Sequence, residues 1–290
     1  MTVLFTDTSS NLPKESFKKH NIKVIRYSYF YEDENIDLSR EDFDGKAFYD
    51  SMREGRVVNT SMINMAAFEE AFESELKKGN DVIYLGMSSG LSGSMNIARL
   101  VAEELKEEYP DRQIEIVDTL AASLGEGFLV LDAAMYLDRG MSASEVAEKI
   151  RRRTSKMCQC LTVDDINYLK RTGRVSGPVA FIGSLLGIRP LLRGNSHGKI
   201  VMYGKVRGAA AAISALAERY DQLVIDRSAP IGIAHADNPK AAEKLLSILK
   251  EQKGFTGKHM TVYYEPVTGS HVGPGTVALF FYGNARKSLI

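Results

Sequence analysis

Residues 81–98 read DVIYLGMSSGLSGSMNIA, an apolar run followed by four serines and two glycines within positions 88–94, and then a helical pattern opening without a charged residue. The run has the length and composition of a buried strand. It delivers a hydroxyl-rich, Gly-containing loop onto a helix N-terminus. There, unpaired backbone N–H groups and the positive end of the helix dipole favour an anion.

On either side the first half of the chain alternates in the same way. Val3 to Thr6 reads as a strand, and Pro13, just after Asp7 to Asn11, suits the first turn of a helix. Lys23 to Tyr31 reads as a second strand, and Asn64 is placed to cap a helix over 65–78 whose buried face carries Phe68, Phe72 and Leu76. After the 81–87 strand come a helix over 92–109 and a strand from Ile114 to Val117. Strand–helix alternation predicts a parallel sheet with crossover helices. Three of its strands end in polar turns, Asp7 to Ser10, Ser88 to Ser94 and Asp118 to Thr119. Because ligands in open α/β sheets sit outside the carboxyl ends of strands, these turns are expected to converge.

A helix over 143–153 ends in Arg151 to Arg153, and beyond it the texture changes. We expect two domains, 1–155 as an N-terminal parallel-sheet α/β/α domain and 156–290 as a C-terminal α+β domain. In the second we read an apolar helical stretch around Phe181 to Leu186, a strand from Arg189 to Leu192, and a turn at Gly198-Lys199 leading into Ile200 to Tyr203. A helix over 208–219, strand 231–235, helix 239–252 and strand 260–265 follow.

The chain has 290 residues, 44% of them hydrophobic, and 37 basic residues balance 37 acidic ones. A zero net charge argues against a broad nucleic-acid or membrane-binding field, so any anion site must be local. The N-terminus lacks a basic segment followed by a long apolar one, and a cytoplasmic protein is expected. The two cysteines, Cys158 and Cys160, exclude a disulfide framework. They are expected as small core thiols on opposite faces of a strand, and no metal site is expected. P-loop, H-E-x-x-H, EF-hand and dinucleotide signatures are not found, so no cofactor is expected.

The serine loop matches the G-x-S-x-G nucleophile elbow only in part, because Ser94 stands where the final glycine belongs. No catalytic residue is assigned, and hydrogen bonding to a ligand suits Ser92 better. The plain alternative is a capping turn with solvated hydroxyls. Thr60 and Ser61 precede a helix, where such residues more often cap than bind. His271 lies among three glycines and a proline, read as a tight loop before an apolar strand, and is expected to titrate between about pH 5 and 8. Arg171 and Arg174 around Gly173, and Arg207 in GKVRG, are either solvated faces or a bidentate site for oxyanions or an acidic partner.

Eight collinear segments resemble the DegV family of bacterial fatty-acid-binding proteins nearly end to end. They are TDTSSNLP (6–13), NTS (59–61), SSGLSGSMNIA (88–98), VDTLAAS (117–123), NYLKRTGRVS (167–176), IRPLL (188–192), GKVRG (204–208) and HVGPGTV (271–277). The resemblance implies a two-domain α/β protein with a pocket between or adjoining the domains, holding one long-chain fatty acid such as palmitate. Its carboxylate would be bound by Thr60 and Ser92, with Ser61 and Gly93 beside them, and His271 would close the network. It also implies a separate fatty acid kinase as partner, to which the carboxyl group is presented for phosphorylation. Arg171, Arg174 and Arg207 would serve in that docking, and from their place in Gly turns Arg174 and Arg207 are expected to leave lipid content intact when replaced. A passing contact with a membrane surface would serve lipid exchange. Two departures stand out: Met62-Ile63 replaces the usual Gln-Pro after the TS pair, and Thr172 stands where glycine is usual.

Such a ligand fits the physics. Each buried CH₂ contributes roughly 0.8 kcal/mol, so the tail should dominate affinity and an apolar tunnel is required. Phe181, Ile182, Leu185, Leu186 and Ile188 either line it or pack the core. Two other readings are a Ser-loop hydrolase or phosphotransferase acting on a small anion, and a regulatory module that needs lipid only to fold.

Overall fold

The computed structural model describes residues 1–34, 37–39, 42–177 and 187–284. The apolar stretch of Phe181 to Leu186 lies outside the described residues. In the first half, β1 (Thr2–Asp7), β2 (Lys23–Ile25), β5 (Asp81–Gly86) and β6 (Ile114–Asp118) form a parallel sheet in the order β2-β1-β5-β6. Helices α3 (Met65–Leu76) and α4 (Ser94–Glu108) pack together on it, as do α5 (Leu124–Asp138) and α6 (Ala143–Thr154). Asn64 accepts from Ala67 N at 2.9 Å and caps α3, and Phe68, Phe72 and Leu76 are buried, as the spacing predicts. Helices α1 (Lys14–Lys19) and α2 (Gly45–Arg53) complete this half.

The expected long strand over 23–31 is two strands. After β2 the chain turns at Arg26-Tyr27 and enters β3 (Ser28–Tyr31), which leaves the parallel sheet and pairs antiparallel with β4 (Val58–Ser61). Phe48 of α2 stacks edge-on against Tyr29, an apolar contact that favours this departure.

The second sheet is mixed: β7 (Met157–Thr162), β8 (Val175–Ser176), β9 (Ile188–Gly194), β10 (Ile200–Arg207), β11 (Ile231–His235), β12 (His259–Tyr263) and β13 (Val277–Tyr282), in the order β12-β11-β13-β7-β9-β10-β8. The expected hairpin is β9–β10, in antiparallel register with a bulge between Met202 and Gly204. Gly198 at its tip has φ +70°, and a Cβ there would fall 1.9 Å from Ser88 Oγ, so only glycine fits this approach. Two short helices, α7 (Asn167–Arg171) and α10 (Pro266–Val272), accompany the longer α8 (Ala209–Leu223) and α9 (Pro239–Gln252). α8 packs on β7, β9, β10 and β13, and α9 on β11.

Cys158 and Cys160 belong to one apolar cluster with α8 residues Ile213 and Leu216. They share a face rather than opposing one, because residues two apart on a strand point the same way. α5 touches β1 and β5 on one side and β7, β11 and β13 on the other, so it lies between the two sheets. Residues 124–130, 133 and 134 of it are buried, and its apolar side chains run round the helix rather than along one stripe, as suits a helix enclosed on most sides.

Candidate functional site

The polar turns do converge, but most of their hydroxyls are spent inside the protein. Asp7 Oδ2 accepts from Tyr84 OH at 2.7 Å and Met87 N at 3.0 Å, while Thr6 and Ser9 donate to Glu126 at 3.1 and 2.6 Å. Burial pushes both carboxyls up, and the Asp7 charge raises Glu126 further. Thr119 Oγ1 donates to Gly86 O, and Ser88 Oγ to Gly198 O at the tip of the second-half hairpin.

What remains faces a cavity enclosing about 790 Å³, its mouth included. Thr60, Ser61, Ser92 and His271 all line it, with Tyr27 and Arg174. Leu161, Ile200, Ala278 and Phe280 supply apolar wall from β7, β10 and β13. Ile188 is not among the lining residues; it opens β9 opposite Arg207.

Ser94 Oγ gathers the polar groups by accepting from Ile63 N at 3.1 Å and from Ser92 Oγ at 3.1 Å. This ties the turn after Thr60 to the start of α4. Ser92 Oγ in turn accepts from Ser94 N at 3.2 Å, so it caps the helix while lining the cavity. Gly93 is the N-cap residue itself, and a Cβ there would lie 2.6 Å from Met62 Sδ. Met62, which replaces the usual glutamine, thus lays its thioether over the serine loop while remaining 54% exposed.

His271 is helical. Pro266 begins α10, and the Glu265 carboxylate caps it by accepting from Val267 N at 2.7 Å and Thr268 N at 2.6 Å. The loop expected at His271 begins two residues later, at Gly273 with φ +80°. His271 Nε2 lies 3.0 Å from Thr60 Oγ1, and its buried Nδ1 has no partner among the described residues. Burial first, then the charges of Arg174 and Arg171, push the imidazole down to about 4 rather than leaving it to titrate between pH 5 and 8. At neutral pH the ring is uncharged. Among the described residues its ring nitrogens meet a threonine hydroxyl and no carboxylate, so the base-and-orienter contact of a hydrolase triad is not made by them.

Arg174 lines the cavity instead of standing clear of it, and its guanidinium donates to Thr172 O. Arg171 lies 5.8 Å from the Tyr168 ring centre at the end of α7, and Arg207 is exposed at the end of β10. Neither lines the cavity.

Gln159 of β7 had no signal in the sequence as a contributor. Its Oε1 accepts from Ala122 N at 3.1 Å and its Nε2 donates to Leu120 O at 3.3 Å. The clamp holds a cavity-lining loop in which Leu120 and Ser123 adopt φ +53° and +54°, a costly conformation for residues bearing a Cβ. Among the described residues no cluster of His, Cys, Asp and Glu could hold a metal ion, and no helix is long and apolar enough to cross a membrane.

Residues 1–284 match the family profile described as "Uncharacterised protein, DegV family". A DegV domain-containing protein of Clostridium perfringens is 38% identical over 288 residues, 98% of both chains. Among solved structures, a fatty acid binding DegV family protein of Streptococcus agalactiae superposes with a TM-score of 0.86 at 29% identity, covering 97% of this chain and 98% of that one. A DegV family protein of Thermus thermophilus, solved in a study of its fatty acid binding, superposes with a TM-score of 0.87 at 26% identity, covering 97% and 99%. The chain belongs to the DegV family.

Proposed function

We propose that this chain is a cytoplasmic carrier of one long-chain fatty acid, its carboxylate held by Thr60 and Ser92 and its tail laid along the apolar wall. One observation carries the reading: the Thr60 and Ser92 hydroxyls, a neutral imidazole and an arginine line a cavity whose sheet-side wall includes Leu161, Ile200, Ala278 and Phe280. A carboxylate there gains roughly 1.5–3 kcal/mol per hydroxyl that donates to it. The tail gains roughly 0.8 kcal/mol per buried CH₂ and supplies most of the affinity. His271 closes the network through Thr60, while Ser61 lines the cavity beside it and Gly93 opens α4 next to Ser92.

Arg171 and Arg207 extend the positive charge beyond the cavity, and we assign them to docking a separate fatty acid kinase that converts the carboxylate to an acyl phosphate. Loading and release by brief contact with a membrane surface complete the cycle. Native mass spectrometry and lipid extraction of protein purified from bacteria test the carrier reading. It expects about one long-chain fatty acid per chain. Lipid-free protein that ignores added palmitate but turns over an ester would replace it with the hydrolase reading.

A further inference from the structure

We propose that Tyr27 is a positioning residue that makes Ser92 a donor-only hydroxyl, so that the site selects a fatty carboxylate over the alcohol with the same tail. This rests on the reading of Ser92 as a carboxylate ligand. A serine hydroxyl has one proton to donate and two lone pairs with which to accept. Ser92 Oγ accepts from Tyr27 OH at 3.1 Å and from Ser94 N at 3.2 Å. Both lone pairs are therefore engaged.

Its one proton points to Ser94 Oγ at 3.1 Å, which already accepts from Ile63 N. A carboxylate is the stronger acceptor and draws that proton to itself. An alcohol offers a poorer acceptor, and its own O–H finds no lone pair on Ser92.

The phenol suits this task. Tyr27 lies in the two-residue link where the chain leaves the parallel sheet, its backbone N–H donating to Thr8 Oγ1 at 3.2 Å. It is buried and lines the cavity. Burial, then the neighbouring Asp7 and Glu126 carboxyls, hold its ionisation well above the usual phenol range, so the O–H remains a donor. The same two carboxyls face away into bonds with Tyr84, Ser9 and Thr6, which leaves the Tyr27 proton for Ser92.

The test is a cycle of wild type, Tyr27→Phe, Ser92→Ala and the double variant, each titrated with myristate and with tetradecanol delivered from cyclodextrin. Tyr27→Phe should lower the acid-to-alcohol affinity ratio by about 2- to 12-fold, as expected for one neutral hydrogen bond, and change nothing further in the Ser92→Ala background. Tyr27→Leu should give the same ratio if the phenylalanine variant folds poorly. If Ser92→Ala weakens myristate binding while Tyr27→Phe leaves the ratio unchanged, or adds its effect in full, the positioning role is overturned alone. If Ser92→Ala leaves myristate affinity unchanged, the carboxylate reading falls and this proposal with it.

Discussion

Replacing Thr60 by valine keeps a β-branched side chain on β4, where it pairs with Tyr29, and removes only the hydroxyl. Two consequences follow from the geometry. In the ligand-free protein, His271 Nε2 loses its partner at 3.0 Å while Nδ1 already has none, so a buried ring is left with both nitrogens unpaired. A buried polar group without a partner costs about 1–3 kcal/mol, and the variant should be less stable by that order.

In the loaded protein, a hydrogen bond to a charged group disappears, worth roughly 1.5–3 kcal/mol, which is about a 10- to 150-fold loss of palmitate affinity. Because Thr60 and Ser92 act on one carboxylate, the effects of Thr60→Val and Ser92→Ala should couple, the double variant losing less than the sum. Calorimetric titration with palmitate and with methyl palmitate separates head from tail. The ester should bind wild type more weakly than the acid and should distinguish wild type from variant little. A variant that binds palmitate as tightly as wild type, or loses acid and ester equally, refutes the assignment of Thr60 to the carboxylate.

Other outcomes follow from the same contacts. The His271 imidazole falls from an ordinary value near 6.5 to about 4 on folding, so the unfolded chain binds the extra proton as pH drops. Stability present above pH 6.5 should fade toward pH 4 by up to about 3 kcal/mol, and this slope should be missing from His271→Gln in urea titrations; equal slopes would remove His271 as its source. Gly198→Ala should destabilise the fold by about 1–3 kcal/mol in thermal melts, since its Cβ meets Ser88 Oγ at φ +70°; an unchanged midpoint would mean the hairpin tip is not seated on the serine loop. Arg207→Ala should leave palmitate affinity unchanged and slow acyl phosphate formation with a kinase, whereas Arg174→Ala should lower affinity as well; equal affinities for both variants would return Arg174 to the docking face alone.

The parallel half of the fold was legible because its signals are local. Asn64 announced α3 and Phe68, Phe72 and Leu76 its buried face, while the 81–98 stretch carried strand, loop and helix start together. Where a segment is governed by distant packing, local pattern failed. α5 lies between two sheets and spreads its apolar residues round the helix, so it shows no single stripe to read. The break at Arg26-Tyr27 is set by β4 and α2, which lie farther along the chain. At His271 the missed signal was local after all: Glu265-Pro266 is an N-cap followed by proline at the first helical position. Of the site, the serine loop at the start of a helix pointed to Ser92 and the resemblance supplied Thr60 and the network role of His271, but the supports they depend on were beyond both. Tyr27, Ser94 and Gln159 act through contacts that only the folded chain brings together.

The most direct test of the carrier reading is a crystal structure of the protein with stoichiometric palmitate. The account predicts a carboxylate within hydrogen-bond distance of both Thr60 Oγ1 and Ser92 Oγ, with the tail running along Leu161, Ile200 and Phe280. Palmitate seated with its carboxylate away from these hydroxyls, or outside this cavity altogether, would contradict it.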